Sequence, residues 1–476
     1  MIRTRFAPSP TGFMHIGNLR TALYEYLIAK SAGGQFILRI EDTDQNRLVK
    51  DAEKIIFDTL KISGLKYDEG PDIGGEFGPY IQSQRKFSYL KYALQLIDEG
   101  KAYYCFCDKE RLDSLHKKNL PYDRHCRYLS QEQIQTNLDA KIPYVIRQII
   151  PEGKTTFKDE VYGQITVDNS QLDDQILIKS DDLPTYNFAN VIDDHLMQIT
   201  HVVRGCEYLS STPKYNLLYE AFGWQIPVYV HLPLILDENG EKLSKRKSSA
   251  SFQDLIQTGF LPQAIINYIA LLGWSPENNR EFFTLKELEN EFKIKGLSKS
   301  PAIFDLNKLR WMNGEYIKNM DEGKFYELVL PYLKNSIQKS DLDYKQLAKM
   351  SQSRINFVHE APDLFDFIDK LPNYDTNLFI HKKMKTNLEN SLEVLKIILP
   401  KLHELLIWTE DSIKELLMKI VNEMNLKTGQ IFWPLRTALS GKESTPCGAT
   451  EIAQMLGKSE TIKRVNIAIE KLTEGK

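Results

Sequence analysis

The sequence predicts an α/β unit built on a parallel sheet, split by an insertion of mixed α and β structure and followed by an all-α remainder. Three observations carry this. The first hundred residues alternate short apolar runs with segments of helical spacing. That rhythm pauses over a charged, cysteine-bearing stretch and then resumes. Beyond about residue 250, helical spacing dominates to the end. A chain of 476 residues exceeds one ordinary domain, and roughly two to four compact units are expected.

Ile2–Phe6 reads as a short strand, and Leu19–Lys30 as a helix with Leu19, Leu23, Tyr26 and Leu27 on one face. Gly33-Gly34 stops the helix, Gln35–Ile40 has a buried-strand pattern, and Asp51–Leu60 is a second helix. A parallel sheet of this kind holds ligands at the carboxyl ends of its strands. Tyr144–Ile150 and Ile176–Lys179 are strand candidates within the insertion. The α/β pattern returns with Val202–Arg204 as a strand, Thr212–Phe222 as a helix and His231–Leu236 as a strand. In the C-terminal part, Leu388–Leu399, Asp411–Met424 and Lys463–Leu472 are amphipathic.

Composition narrows the function classes. Hydrophobic residues make up 42% and charged residues 26%, which is ordinary globular usage. The formal net charge of -3 provides no global basic field, so a nucleic-acid partner would have to bind a local patch. Met1-Ile2-Arg3-Thr4-Arg5 has no apolar run after its charges, so no secretory leader is expected. No stretch approaches the roughly 20 apolar residues of a membrane span. Five cysteines in this length do not make a disulfide framework, and a reducing cytoplasm is expected.

Two segments point to phosphate chemistry. In "PSPTGFMHIGN", Pro8, Pro10 and Gly12 keep a loop out of the helical region just ahead of a helix. A helix N-terminus presents free N–H groups and a positive dipole end, which suits phosphate. His15 has a donor for a phosphate on which charge develops, and Gly17 allows a base to approach the backbone. A proline-rich turn with a capped helix is the alternative. The second segment, "ENGEKLSKRKSS", follows a turn at Asn239-Gly240 with Lys242, Lys245, Arg246 and Lys247 among Ser244, Ser248 and Ser249. Cations on such a loop can neutralise a polyphosphate in its transition state. A solvated charge run is the alternative.

His-Ile-Gly-Asn after the first strand and Lys-Leu-Ser-Lys-Arg after the last resemble the two signatures of class I aminoacyl-tRNA synthetases, usually His-Ile-Gly-His and Lys-Met-Ser-Lys-Ser. The departures at Asn18, Leu243 and Arg246 resemble those of the glutamyl-tRNA synthetase branch. "RFAPSPTG", "LRIEDTD", "PTYNFANVIDDHLMQITHVVRG", "FDLNKLRWMNGEYI" and "KTGQIFWPLRTALSGKESTP" are similar to further blocks of that branch. The resemblance covers essentially the whole chain.

It implies a Rossmann-type catalytic domain over residues 1–98 and 191–240, split by an acceptor-end-binding insertion over 99–190. A stem-contact helical domain would follow over 241–318, then two anticodon-binding helical domains over 319–372 and 373–476. The implied enzyme activates L-glutamate with ATP and Mg²⁺, then transfers it to tRNA(Glu), with tRNA(Gln) an open second acceptor. Bound tRNA is expected to be needed for productive activation. His15, Lys242 and Lys245 would be catalytic, with Gly17, Asn18, Ser244 and Arg246 also at ATP. Arg5, Ala7, Ser9, Glu41, Tyr186, Asn190, Arg204 and, with Tyr208 beside it, Glu207 would surround glutamate. A planar guanidinium fork suits the substrate's carboxylate. A cytoplasmic monomer is expected. The rival enzyme is a glutaminyl-tRNA synthetase, whose β-barrel anticodon region the helix-rich second half disfavours. The rival of another class is a non-catalytic RNA-binding paralogue, which retention of His15, Lys242 and Lys245 disfavours.

Cys105-x-Cys107 followed by Cys126 is a metal signal, with Tyr122 or His125 as a fourth ligand. Some relatives carry structural zinc there; three reduced thiols in a small core are the alternative. Cys206 and Cys447 are isolated and expected to be inert. For the anticodon, Trp408, Phe432, Trp433, Arg436 and Arg354 are available, although aromatic residues of this kind are commonly core.

Overall fold

The structure is a computed structural model, and it describes residues 1–43, 49–118, 120–243 and 251–474. It comprises two units, Met1–Leu309 and Arg310–Lys476.

The first unit begins with β1 (Arg3–Phe6), α1 (Ile16–Ser31) and β2 (Gln35–Leu38), with β1 and β2 parallel and Arg5 opposite Ile37. Helix α1 starts earlier than its spacing predicts. His15 has an extended backbone, and its side chain accepts the N–H of Gly17, so the first turn is capped ahead of Leu19. At the far end, Gly34 is required: a Cβ there would lie 2.1 Å from the carbonyl oxygen of Ile2. Two helices follow, α2 (Ala52–Ser63) and α3 (Lys86–Asp98).

The middle of the unit contains β3 (Ala102–Cys105), α4 (Lys109–Lys117), α5 (Gln131–Asp139), β4 (Val145–Gln148), β5 (Lys154–Asp159), β6 (Gly163–Asp168) and β7 (Ile176–Ile178). Then come α6 (Tyr186–Leu196), β8 (His201–Gly205), α7 (Thr212–Ala221), β9 (Val228–Leu232) and β10 (Ile235–Leu236). The single strand predicted over His231–Leu236 is two strands, because Pro233 has no N–H to continue a ladder. The unit closes with α8 (Phe252–Thr258), α9 (Pro262–Ala270), α10 (Leu285–Glu291) and β11 (Ala302–Ile303).

Strand β1 lies beside β8, where Thr200 N–H donates to the carbonyl of Arg3 at 3.0 Å. β8 and β9 are parallel, with Arg204 opposite His231. The hairpin β5–β6 joins this sheet: β5 runs parallel to β9, with Asp159 opposite Tyr229. Part of the stretch between residues 99 and 190 therefore extends the central sheet. The remaining strands form a second sheet in the order β3-β4-β7. Its apolar face meets α3, α6 and α7 in one core containing Tyr89, Leu96, Ile146, Leu177, Phe188 and Leu218. Burial of these side chains contributes about 1.5–3 kcal/mol each relative to exposure.

The boundary helix α11 (Leu306–Lys318) leads into the second unit, which contains α12 (Glu322–Ser336), α13 (Tyr344–Gln352), α14 (Leu388–Glu404), α15 (Glu410–Glu423), α16 (Thr428–Ser440), α17 (Ala449–Leu456) and α18 (Lys458–Glu474). No strand is assigned among its described residues, as predicted. Helices α14–α18 pack mainly on one another, whereas α12 packs on α13 and on a 3₁₀ segment at Val358–Phe365. Arg464 of α18 is fully buried and donates to the carbonyls of Phe367, Ile368 and Leu439. None of the described helices is long and apolar enough to cross a membrane.

Candidate active site

A cavity of about 450 Å³ opens at the carboxyl ends of β1 and β8. Ser9, His15, Gly17 and Asn18 form one wall; Arg5, Ala7 and Glu41 form its floor; Tyr186, Arg204, Glu207 and Lys242 complete it. Residues separated widely in sequence thus share one space. Asn190 is buried one turn along α6 from Tyr186. Ser244, Lys245 and Arg246 lie outside the described residues.

On the phosphate side, Nδ1 of His15 accepts the Gly17 N–H at 3.1 Å. A neutral imidazole whose Nδ1 accepts carries its proton on Nε2. The histidine is therefore both a helix cap and a donor. A Cβ at residue 17 would come within 3.3 Å of Nδ1, so glycine here protects the cap. The basic segment returns to the same place at both ends. Lys242 is bridged to Leu236, with Nζ 4.0 Å from Glu207 Oε1. Ser251 is bridged to His15 itself.

On the amino-acid side, Arg5 is buried and held rigidly. Its Nε donates to Asp194 Oδ1 at 2.9 Å and its Nη1 to Glu25 Oε1 at 3.2 Å. Nη2 has no hydrogen-bond partner among the described residues. Asp194 also accepts from Arg39 at 2.8 Å, and Arg39 Nη2 donates to Glu41 Oε1 at 3.0 Å. Arg5 and Arg39 hold the Asp194 carboxyl below its usual range against the opposing effect of burial. Burial pushes Glu41 up to about 7 despite Arg39 and Arg5. Burial likewise raises Glu25.

Glu41 Oε2 and Asn190 Nδ2 are among the buried polar atoms without a partner among the described residues. Such atoms are costly unless a ligand satisfies them. One is an acceptor and the other a donor, as a zwitterion requires. Arg204 is anchored by Nε to His231 Nε2 at 3.1 Å and by Nη2 to Thr212 Oγ1 at 2.8 Å, with its guanidinium over the Tyr215 ring.

Sequence reasoning missed Glu25, Arg39, Asp194, Asp159 and His231. The doublet Asp193-Asp194 in an otherwise apolar helix was the available signal, since buried charges must be paired.

Away from the cavity, Cys105, Cys107 and Cys126 place their sulfurs within 4.8 Å of one another. The Tyr122 hydroxyl lies beside them, 3.2 Å from Cys105 Sγ and 3.7 Å from Cys107 Sγ, in reach of a fourth position. His125 is exposed and is not part of the cluster. Tetrahedral zinc with bonds of about 2.3 Å sets sulfurs about 3.8 Å apart, and Cys107 and Cys126 are 3.6 Å apart. The donor set therefore fits.

In the second unit, the indole N–H groups of Trp408 and Trp433 donate to the carbonyls of Ala453 and Leu378, each at 3.0 Å. Arg436 stacks on Trp433, and Phe432 is half-buried. Arg354 is exposed.

The family profile described as tRNA synthetases class I (E and Q), catalytic domain, matches residues 1–311, and that of an anticodon binding domain matches 324–469. Glutamate–tRNA ligase of Clostridium kluyveri is 59% identical, the alignment covering 99% of this chain and 98% of that protein. The same enzyme of Clostridium novyi is 58% identical over 99% and 98%. A crystal structure of a glutamate tRNA ligase from Elizabethkingia meningosepticum, in complex with its amino acid, superimposes with a TM-score of 0.89 at 35% identity, covering 99% of both chains. That from Elizabethkingia anophelis gives 0.88 at 35% identity, over 98% of this chain and 99% of that one. The chain belongs to the glutamate–tRNA ligase family of class I aminoacyl-tRNA synthetases.

Proposed function

We infer that this chain ligates L-glutamate to tRNA(Glu) in two steps, the first of which consumes ATP. The observation that carries this reading is one cavity in which Arg5, Arg204 and the unsatisfied Glu41 Oε2 stand beside His15 and Lys242. Two guanidinium groups suit a substrate with two carboxylates, and Glu41 suits its ammonium group. A glutaminyl substrate, with a neutral side-chain amide, leaves one of those cations unmatched.

In the first step the α-carboxylate of glutamate attacks the α-phosphorus of ATP, and pyrophosphate leaves. ATP enters with Mg²⁺ on its phosphate oxygens. His15 Nε2–H donates to the oxygens on which charge accumulates, next to the amide groups at the start of α1. Gly17 and Asn18 line the nucleotide side; Lys242, with Ser244, Lys245 and Arg246 of the basic segment, neutralises the leaving pyrophosphate. In the second step the 2′-hydroxyl of the terminal adenosine attacks the activated carbonyl and AMP leaves. No protein nucleophile is needed, and catalysis comes from positioning and electrostatics.

Around the amino acid, Ala7, Ser9, Tyr186, Asn190 and Glu207 complete the glutamate pocket. Zinc would be held by Cys105, Cys107, Cys126 and Tyr122, where it supplies structure only. The working form is a cytoplasmic monomer. The domain boundaries implied by the family assign 99–190 to the acceptor end, 241–318 to the stem, and 319–372 with 373–476 to the anticodon.

ATP–pyrophosphate exchange with glutamate, run with and without tRNA(Glu), tests the reading. Exchange that requires tRNA(Glu) is expected. No exchange in the presence of either tRNA(Glu) or tRNA(Gln) overturns it, and charging of both tRNAs side by side decides the acceptor range.

A further inference from the structure

Behind Arg204 stands a buried pair that the reaction itself does not use. Asp159 and His231 have side chains at 0% exposure. Asp159 Oδ2 lies 2.6 Å from His231 Nδ1 and also accepts the backbone N–H of His231 at 3.0 Å. Its other oxygen accepts the N–H groups of Val161 and Tyr162 at 2.9 and 2.7 Å. With every contact of the carboxylate a donor, Nδ1 must carry a proton. The opposite nitrogen, Nε2, faces Arg204 Nε at 3.1 Å. A guanidinium can only donate, so Nε2 must present a lone pair. The imidazole is therefore neutral, with one defined tautomer. Its burial, together with the charge of Arg204, lowers its pKa against the opposing pull of Asp159.

We propose that Asp159 and His231 are positioning residues for glutamate recognition: the carboxylate fixes the imidazole tautomer, and the imidazole lone pair aims Arg204 into the pocket. Thr212 Oγ1 holds Nη2 and Tyr215 lies beneath the guanidinium plane, so the fork is held at Nε and Nη2 and supported on one face. Both constraints are needed because one hydrogen bond leaves a guanidinium free to rotate. Asp159 reaches this place through the hairpin β5–β6, at the position where it pairs with β9. The stretch between the two halves of the catalytic sheet thus supplies a residue that supports the pocket from behind Arg204.

The arrangement carries a pH signature. Protonation of Nε2 removes the acceptor and sets two cations against each other. Among the described residues, the charged and titratable groups facing His231 are Asp159, Arg204, the stacked ring of Tyr229 and, more remotely, Glu207. As pH falls through the lowered pKa of His231, the KM for glutamate is expected to rise while that for ATP holds.

The proposal rests on Arg204 binding glutamate, so the experiment uses the full chain with tRNA(Glu) and includes an Arg204 variant. His231→Leu is expected to raise the glutamate KM about tenfold, the value of one charge-assisted hydrogen bond, with the ATP KM unchanged. His231→Gln, whose Oε1 can still accept from Arg204, is expected to stay near the parent value at neutral pH and to lose only the part of the low-pH rise in KM that His231 contributes, keeping the part set by Glu41. A parent-like glutamate KM in His231→Leu, with a raised KM in Arg204→Gln, overturns the positioning role alone. A parent-like KM in Arg204→Gln overturns the pocket reading and the proposal with it. A parent pH profile of the glutamate KM identical to that of His231→Gln also overturns the proposal.

Discussion

His15 and Ser251 face each other in an antiparallel bridge, and Phe252 N–H donates to the carbonyl of Met14 at 3.1 Å. The loop that opens α1 is thus tied to the chain emerging from the basic segment. A phosphate held at the start of α1 lies next to the place where that segment ends.

His15 has two separable roles. His15→Ala is expected to lose about 1 kcal/mol of stability with the cap and to lower adenylate formation about 10²–10³-fold with the Nε2 donor. His15→Asn restores a capping oxygen, while its amide N–H falls one bond short of the position of Nε2 and does not replace that donor. It should match the parent in thermal unfolding and match His15→Ala in single-turnover adenylate formation. Recovery of rate in His15→Asn would assign the histidine to the cap alone.

Glu41 should impose a pH dependence on glutamate binding. Its carboxyl is pushed up to about 7, so it is neutral below that pH and anionic above it. Since an ammonium group needs the anion, the glutamate KM should fall as pH rises through about 7. Folding stability runs the other way. A carboxyl whose pKa is raised from 4.5 binds its proton more tightly when folded, so its stabilisation is complete below 4.5 and is lost as pH rises through about 7. Glu41→Gln is expected to remove the step near pH 7 from the binding profile at a raised KM, leaving the rise at lower pH that His231 causes, measured by titration of glutamate at fixed ATP and tRNA.

The cysteine cluster should contain one metal ion per chain. Metal analysis of protein purified without chelator is expected to find zinc, and Cys126→Ser to remove most of it. Loss of a structural zinc should lower the melting temperature while the glutamate and ATP KM values hold. His125→Ala should retain the ion, because that side chain lies outside the cluster. Tyr122→Phe should weaken it.

Arg464 should be indispensable to the second unit. It is fully buried and donates to three carbonyls as well as to Glu460 at 2.8 Å. Arg464→Met has similar bulk but leaves those carbonyls without their donor. A loss of about 3–5 kcal/mol is expected, read as a shift in the denaturant midpoint followed by the fluorescence of Trp408 and Trp433. A shift near zero would mean that water replaces the guanidinium.

Much of the molecule was legible because its signals are local. The spacing of Leu19, Leu23, Tyr26 and Leu27, the stop at Gly33-Gly34 and the amphipathic C-terminal segments each report on a few consecutive residues. Helix period, turn chemistry and the grouping of Cys105, Cys107 and Cys126 are properties of short windows. Resemblance in the two signature motifs supplied the family. The paired histidine and aspartate, by contrast, have no local signal. His231 reads as the first residue of a strand candidate, and Asp159 falls in none of the strands the sequence predicts. Only the parallel pairing of β5 with β9 sets them 2.6 Å apart. The same holds for Arg5, whose cavity-facing geometry depends on Asp194 and Glu25, brought from two different helices. Sequence determines which residues can carry charge or cap a helix. Whether a charge is buried, what it pairs with and which of its atoms stay open to a ligand are decided by long-range packing, because desolvation and distance set the energy of every such contact.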